Sequence, residues 1–508
     1  MLTRIKIDGF KNLDGIDVRL GPFVCIAGPN GVGKSNFFDA IAFLSALADK
    51  PLIDAALSVR GGAGRTGDVR SLFRRVGDSV NEQMSLLVEM IIPAAGEDAL
   101  GQRAEASMTY LQYEVVLRYR ADSPGRPLGG MELVKEHLVH LNRTTARQQL
   151  GFSHSKRWRD SAVQGRRTSA YISTETRDKV NFVSLHADSA GGLTGGRPRQ
   201  LPANSLPRTM LSSVNNAAEH RTLVLARQEM MSWTQLQLEP SALRSPDAFT
   251  APHGIAANGA HLPATLHHLG HLAGQSEADG EANLHARVAN RLSELIENVG
   301  SVSVDVDEKR QLLNIVMTDL QGTSHLASSL SDGTLRFLAL TVMEADPSPR
   351  AVLCLEEPEN GMHPRRIPAM IRLLQDLAVD PDEPVGPDNP LRQVIVNTHS
   401  PSVVAEVPDD SLLVAQVAHD RVGGRRTWRL TFAPLPDTWR NRIDPAAPAI
   451  ARGVLQDYLN PLQGEEEAGE PADGPGAEQP RGKPTVRKVK HRQDLQLLLP
   501  FSRPASGT

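Results

Sequence analysis

The segment GPNGVGKSN, residues 28–36, decides the fold of this 508-residue chain. From Gly28 to Ser35 it fits the pattern G-x-x-x-x-G-K-[ST], which is typical of a loop that holds phosphate groups. The strand-like run IDVRLGPFVCIAG precedes it, and NFFDAIAFLSALAD follows with apolar residues at helical spacing. Because strand, loop and helix occur in the order that the pattern requires, we predict a site for a nucleoside triphosphate here.

The residues of this loop have separate expected roles. Backbone N–H groups of residues 30–34 can converge on the β-phosphate, and the glycines keep side chains out of the way. Lys34 would neutralise the β- and γ-phosphates, and the Ser35 hydroxyl would take one position on Mg2+. The predicted nucleotide-binding residues of the loop are Gly28, Pro29, Asn30, Gly31, Val32, Gly33, Lys34, Ser35 and Asn36.

A pair of acids follows a second apolar run, AVLCLEEPE, much later in the chain. Glu356, at the end of the predicted strand, would reach Mg2+ through water, and Glu357 would act as general base on the hydrolytic water. Two acids after a strand would by themselves be only a solvated strand end. Together with the upstream phosphate loop they favour a site that hydrolyses the nucleotide.

Two further segments join the set. LSDGT, residues 330–334, predicts a helix cap in which the Ser331 hydroxyl and the Gly333 N–H can also receive a phosphate group. VIVNTHSP ends another apolar strand at His399, whose imidazole can hydrogen-bond a γ-phosphate or the attacking water. Each segment alone has an ordinary structural explanation, and the order of the four motifs is what favours function.

Composition and charge limit the choice of partner. The net charge is -4 and the pI about 6.5, so no overall basic excess indicates nucleic acid or a membrane. MLTRIKIDGFKNL lacks the apolar core of a secretion signal, and no window reaches the roughly 18 apolar residues of a membrane span. Cys25 and Cys354 lie in apolar runs, which favours core packing over a disulfide or a metal pair. We therefore expect a cytoplasmic protein without a membrane partner.

The set of motifs resembles the ATP-binding cassette (ABC) ATPases, more narrowly their RecF/SMC-like branch, and within it the bacterial AAA-family ATPases allied to the OLD proteins. The similar segments are MLTRIKIDGFKNL, AGPNGVGKSNFFDAI, EEPENGMHP and NTHSP. They lie within residues 1–140 and 300–420, and the middle of the chain is similar only loosely. The resemblance implies an α/β fold: an ABC-type P-loop NTPase head with a mixed or parallel core sheet, a flanking antiparallel sheet and a mainly helical insert.

Carried to this chain residue by residue, the resemblance implies an ATPase that uses ATP and Mg2+. Lys34, Glu357 and His399 become the catalytic residues, with His399 as the sensor of the γ-phosphate. Ser35 and Glu356 become the residues on the metal.

The resemblance also implies a homodimer, because two such heads sandwich two ATP molecules. Ser331 and Gly333 become the signature turn that completes the site of the second copy. The glutamine of the family's Q-loop has no clear counterpart, and Gln83 is the nearest candidate. The TOPRIM nuclease domain of OLD proteins is not expected, because the segment after NTHSP lacks a strand ending in Glu and a later Asp-x-Asp.

Pattern and resemblance divide the chain into four parts. Residues 1–140 form the N-terminal part of the ATPase head, with the strands MSLLVEMII, LQYEVVLRY and ELVKEHLVHL in the flanking sheet, and residues 141–300 form a partly helical insert. Residues 301–460 form the C-terminal part of the head, with the signature, acidic strand and His loop. Residues 461–508, rich in Glu, Pro and Gly, are expected to be disordered. The Gly- and Pro-rich segment 188–207 is expected to separate subdomains.

Three functions remain open. The first is a dimeric, ATP-hydrolysing switch that engages DNA or a separately encoded effector protein, in phage defence or DNA maintenance. The second is a RecF-like repair clamp on duplex DNA, for which SHSKRWRDSAVQGRR, residues 153–167, interleaves Trp158 with basic side chains. The third is a scaffold that binds ATP with little turnover. A transporter head and an SMC-type arm are disfavoured, because no membrane-coupling segment and no sustained heptads occur.

Overall fold

The computed structural model describes residues 1–59, 68–77, 79–121, 130–188, 199–277, 279–347, 351–422, 425–444, 449–450 and 489. The predicted disordered tail, residues 461–508, lies outside the described residues apart from Val489. No helix among the described residues combines the length and the apolar character that crossing a bilayer requires.

The described strands are, in chain order, β1 Leu2–Asp8, β2 Ile16–Arg19, β3 Phe23–Ala27, β4 Arg75–Val76, β5 Ser79–Val80, β6 Gln83–Ile91, β7 Ala95–Glu97, β8 Arg103–Glu105, β9 Tyr110–Arg120, β10 Gly130–His140, β11 Ile172–Arg177, β12 Val180–Leu185, β13 Arg199–Pro202, β14 Thr234–Leu236, β15 Asp247–Ala248, β16 Val299–Asp307, β17 Leu312–Asp319, β18 Ser324–Leu326, β19 Val352–Glu356, β20 Gln393–Thr398, β21 Leu412–Val422 and β22 Arg425–Pro434. The described α-helices are α1 Lys34–Leu47, α2 Leu52–Ser58, α3 Ala146–Leu150, α4 Lys156–Ala162, α5 Ala217–Met231, α6 Pro240–Arg244, α7 Leu262–Ser276, α8 Gly280–Ser293, α9 Asp332–Ala345, α10 Ile367–Leu377, α11 Pro401–Glu406 and α12 Trp439–Ile443.

A six-stranded sheet forms the centre of the fold, in the order β14-β19-β20-β3-β21-β22. Its first five strands pair in parallel, and β22 is antiparallel to β21. Strands β3 and β20 are buried along their whole length, as expected for a parallel sheet covered on both faces. The predicted mixed core sheet is therefore confirmed.

The two cysteines belong to this core. Cys25 on β3 and Cys354 on β19 are free thiols, and both are fully buried. Burial raises the pKa of both thiols, because the apolar surroundings disfavour the thiolate. The predicted core role is confirmed.

A second, antiparallel sheet of eight strands has the order β13-β12-β11-β10-β9-β6-β1-β2. It contains the three predicted strands of the flanking sheet as β6, β9 and β10, and this part of the prediction is confirmed. Alternating burial along β9 and β10 matches one packed face and one solvated face.

The range 141–300 carries helices α3 to α8 and also contributes to both large sheets. Strands β11 to β13 extend the eight-stranded sheet, so the described end of the segment 188–207 continues a sheet rather than separating two units. In the sequence, residues 209–239 have apolar side chains at helical spacing, but α5 ends at Met231 and β14 pairs in parallel with β19. Pairing with a distant strand has overridden the local helical periodicity there.

A smaller sheet, β15-β17-β16 with β18 beside β17, precedes the signature turn. Strands β16 and β17 pair as an antiparallel hairpin. Helix α9 follows the turn and buries Phe337 completely among the residues that cover the core sheet.

We expect Phe337→Ala to lower the free energy of unfolding by about 3–5 kcal/mol, because the change leaves a cavity between α9 and the core sheet. Chemical denaturation followed by circular dichroism measures this. Leu320→Ala is the control: Leu320 is 72% exposed, and its change should stay within about 0.5 kcal/mol. Equal losses in the two variants would contradict the described packing of α9.

Candidate nucleotide-binding site

A cavity of about 630 Å³ opens at the carboxyl edge of the core sheet. The phosphate loop follows β3, the acid pair ends β19, and Gln237 follows β14. Residues from each of these strand ends line the cavity, among them Lys34, Ser35, Glu356 and Glu357. The carboxyl edge of an open parallel sheet is the usual position of a ligand in such folds.

The phosphate loop folds as the pattern predicts. Gly31 and Gly33 have φ values of 82° and 104°, in the left-handed region where a side chain would be strained. Helix α1 begins at the next residue, Lys34, so its N-terminal N–H groups face the loop. Asn12 braces the loop from outside, since its Nδ2 donates to the Val32 carbonyl at 3.0 Å and its Oδ1 accepts from Asn36 Nδ2 at 2.7 Å. No sequence pattern indicated this role of Asn12.

Lys34 extends back across its own loop. Its Nζ donates to the carbonyls of Gly28 at 2.6 Å and Pro29 at 2.9 Å. Burial lowers the pKa of Lys34, against the opposing attraction of Glu357, Glu356 and Glu359. The ammonium is therefore held at the loop by two neutral acceptors, which anionic phosphate oxygens could replace with stronger charge-assisted hydrogen bonds.

Glu357 and His399 meet, as the motif order predicts. His399 Nδ1 lies 2.7 Å from Glu357 Oε1, and Asn360 Nδ2 donates to Glu357 Oε2 at 2.7 Å. The Glu357 N–H donates to the carbonyl of Asn397 at 3.0 Å, and Glu357 has a φ of 44°, which is unusual for a residue other than glycine. The backbone is thus turned so that this carboxylate lines the cavity.

Opposing effects act on the Glu357 carboxyl. Partial burial favours its neutral form, but the hydrogen bonds from Asn360 and His399 outweigh burial, so the pKa of Glu357 lies below its ordinary value. At neutral pH this carboxyl is ionised and can accept a proton. This protonation state is the one that a general base needs.

Glu356 and Ser35 are suited to a divalent cation. Glu356 ends β19, and its Oε1 is buried with no hydrogen-bond partner among the described residues. Ser35 lines the same cavity from the start of α1. The described residues contain no group of three or more His, Cys, Asp or Glu that could hold a metal. Glu356 and Ser35 could hold Mg2+ together with phosphate oxygens and water.

Glu359 is a further carboxylate near the site, and the sequence motifs did not predict a role for it. It is buried, and its Oε1 accepts a hydrogen bond from Thr398 Oγ1, which in turn accepts from the Ser400 N–H at 2.9 Å. Burial raises the pKa of Glu359. Glu359 therefore holds the residues on both sides of His399, and the only sequence signal was a third acid in EEPE.

The signature turn lies apart from these residues. Ser331 caps α9, with its Oγ accepting from the Thr334 N–H at 3.2 Å, as the sequence predicts for a cap. Asp332 is paired with Arg244. Neither Ser331 nor Gly333 lines the cavity of the same chain, although Arg336 and Leu340 further along α9 do.

The structure corrects the candidate for the Q-loop glutamine. Gln83 is the first residue of β6 in the eight-stranded sheet, is exposed, and does not line the cavity. Gln237 lines the cavity instead, directly after β14, with its N–H donating to the carbonyl of Ala257 at 2.8 Å. The sequence could not identify Gln237 because β14 is short and lies inside a segment with helical periodicity.

The segment 153–167, predicted to contact DNA, does not expose its aromatic side chain as that prediction requires. Trp158 is completely buried and packs edge-on against Phe152, with ring centroids 5.5 Å apart, so it cannot stack on a base. Arg167 pairs with Asp188 at 3.1 Å and lies over the Tyr171 ring. The prediction of Trp158 as part of a nucleic-acid surface is therefore wrong, because an amphipathic turn buries its aromatic side.

Comparison with known proteins agrees with the geometry. A family model described as "AAA domain, putative AbiEii toxin, Type IV TA system" matches residues 23–86 and 149–405, more than half of the chain. This match confirms the resemblance to AAA-type ATPases. Comparison with curated protein sequences gives no match.

Solved structures of SMC heads are also similar. An SMC head bound to the C-winged helix domain of ScpA has a TM-score of 0.44 and 12% identity, over 85% of this chain and 98% of that one. An SMC head with an extended coiled coil bound to the C-terminal domain of ScpA, from Pyrococcus furiosus, has a TM-score of 0.39 and 11% identity over 85% and 96%. The SMC head domain from Thermotoga maritima has a TM-score of 0.31 and 12% identity over 85% and 98%.

We expect Gln237→Ala to slow Mg2+-dependent ATP hydrolysis by about tenfold or more, because it removes a side-chain amide that could hydrogen-bond a ligand or water in the cavity. Gln83→Ala is the matched control and should leave the rate within about twofold. Steady-state phosphate release measures both, with Lys34→Ala as the blank. A slow Gln83→Ala with an unaffected Gln237→Ala would reverse the assignment.

Proposed function

The chain belongs to this AAA-domain family, and we propose that it binds ATP with Mg2+ and hydrolyses it to ADP and phosphate. The observation that carries the proposal is the Glu357 carboxylate, ionised and held by His399 and Asn360 in the same cavity as Lys34. A nucleotide-binding loop alone would support binding, but a positioned base supports turnover.

Each of these residues would have its own role in the reaction. Mg2+ at Ser35 and Glu356 would neutralise charge on the phosphates. Lys34 would bind the β- and γ-phosphate oxygens, and Glu357 would take a proton from the water whose oxygen attacks the γ-phosphorus. As that bond forms, the bond from the γ-phosphorus to the bridging oxygen breaks and ADP leaves. His399, hydrogen-bonded to Glu357, would keep the carboxylate oriented and contact the γ-phosphate.

We further propose that the active form is a homodimer. Ser331 and Gly333 lie outside the cavity of their own chain; Ser331 and Asp332 are exposed at the start of α9, and Gly333 is buried directly behind them. In a sandwich of two heads the turn of each copy would contact the γ-phosphate bound by the other. This arrangement would make ATP the link between the two subunits and hydrolysis the step that releases them.

The dimer would act as a switch on DNA or on a separately encoded effector protein. The family description names a toxin of a toxin–antitoxin system, which supports phage defence as the process, with DNA maintenance as the alternative. The burial of Trp158 weakens the RecF-like alternative, because the exposed cations Lys156, Arg157 and Arg166 have no aromatic partner there. An assembly scaffold with little turnover is the remaining alternative.

We expect Glu357→Gln to lower the rate of phosphate release by about 10²- to 10⁴-fold while ATP still binds, because the amide cannot accept the proton. The variant should accumulate as an ATP-bound dimer, measured by light scattering after size exclusion. The double variant Lys34→Ala/Glu357→Gln is the control and should stay monomeric with ATP. Unchanged phosphate release in Glu357→Gln would contradict the role of this base, and a monomer with bound ATP would contradict the sandwich.

Linear duplex DNA distinguishes the two kinds of target. If DNA is the target, it should raise the steady-state rate of phosphate release several-fold, and the increase should fall at higher salt. If a protein is the target, the rate should be the same with and without DNA. Lys34→Ala is again the blank, and a rate no higher than this blank under both conditions would favour the scaffold.

A further inference from the structure

A second groove, of about 930 Å³, lies at the amino edge of the core sheet, opposite the nucleotide cavity. Its lining comes from residues that precede three parallel strands: Pro22 before β3, the segment 378–389 before β20, and Pro408 to Ser411 before β21. The aromatic rings of Phe152 and Trp439 form part of its wall. We call this feature the acidic groove, for the reason that follows.

The charged residues that line the acidic groove are Asp376, Asp380, Glu383, Asp388 and Asp410. Its described lining includes no Lys, Arg or His. Asp376 is paired with Arg291, and the other four acids are exposed. Carboxylates that line one groove attract a cationic partner. Nucleic acid and anionic lipid would be repelled from the same surface.

The rim of the groove is held in place by hydrogen bonds. Asn389 Nδ2 donates to the carbonyls of Asp380 and Glu383, both at 2.9 Å, and the Val385 N–H donates to Ser161 Oγ at 2.9 Å. The Glu383 and Asp388 carboxylates are therefore presented on a braced backbone. Binding of a partner would therefore cost little conformational entropy on this side of the contact.

One residue of the C-terminal region is placed beside this groove. Val489 is completely buried, and its N–H donates to the carbonyl of Val407 at 3.1 Å. Val407 directly precedes Pro408, which lines the groove. In the sequence Val489 is the centre of RKVKHR, residues 487–492, which we call the basic segment.

We propose that the acidic groove is the docking surface for the basic segment of the same chain. Val489 is hydrogen-bonded to Val407, directly before Pro408 of the groove, and consecutive Cα atoms are about 3.8 Å apart, so the adjacent residues of the basic segment would be within reach of the groove. Charge complementarity selects this occupant, because the basic segment alternates cationic side chains with the valine that anchors it. The covalent connection raises its effective concentration above that of any free competitor.

The acidic groove and the nucleotide cavity lie at opposite edges of the core sheet, so the basic segment could occupy the groove without blocking the cavity. The basic segment would cover the amino edge of the core sheet while the nucleotide cavity at the carboxyl edge stays accessible. Docking is therefore independent of the proposed ATP hydrolysis. It can be measured on the full-length protein without nucleotide.

Hydrogen exchange of the backbone amides of residues 486–492, followed by mass spectrometry, tests the proposal. In the full chain these amides should exchange at least about tenfold more slowly than in a synthetic peptide of the same residues. Reversing the groove charge with Glu383→Arg/Asp388→Arg should remove most of this protection. Glu277→Arg/Glu308→Arg, which makes the same change in net charge at exposed acids outside the groove, should leave it intact.

A charge swap makes the test specific. Adding Lys488→Glu/Lys490→Glu to the groove-reversed protein should restore protection, and either change alone should not. Exchange as fast as in the peptide, or protection that survives groove reversal, would overturn the proposal. Protection that falls on dilution would also overturn it, because the occupant would then be the basic segment of another copy.

Discussion

The parallel pairing of β20 between β3 and β19 is the constraint on which the site depends. Thr398 is opposite Ala27, and Asn397 is opposite Glu356, so the three strands end at the same level of the sheet. Neighbouring strands are about 4.8 Å apart. The phosphate loop, the acid pair and His399 therefore start within about 10 Å of one another, although the loop lies hundreds of residues before the other two in the chain.

The acids around the phosphate loop have different environments, and this separates their roles. Glu357 is partly exposed and accepts two hydrogen bonds, which lowers its pKa, whereas burial raises the pKa of Glu359. When the environments of two neighbouring carboxyls move their pKa values in opposite directions, the two groups usually have different roles. One takes part in the reaction and the other supports the structure of the site. Glu357 faces the cavity, and Glu359 holds Thr398 and through it the start of the His399 turn.

The two edges of the core sheet have different sets of charged groups. At the carboxyl edge, Lys34 and the N-terminus of α1 lie beside the acids Glu356 and Glu357. At the amino edge, the acidic groove has carboxylates on a braced loop and no Lys, Arg or His in its described lining. The cavity at the carboxyl edge thus combines groups that suit an anion with groups that suit a cation, whereas the acidic groove suits cations alone.

The sequence alone determined those features of this protein that depend only on residues adjacent in the chain. GPNGVGKSN predicts its own loop because left-handed glycines and a helix start are properties of neighbouring residues, and LEE and NTHSP predict strand ends for the same reason. From the order of the four motifs, the sequence also predicted that Lys34, Glu356, Glu357 and His399 belong to one site. Only the tertiary structure decided that Gln237 rather than Gln83 lines the cavity, that Trp158 is buried, and that Val489 lies beside the acidic groove. These outcomes depend on which distant segments pack together, and long-range packing leaves no periodic signal in the segments that take part.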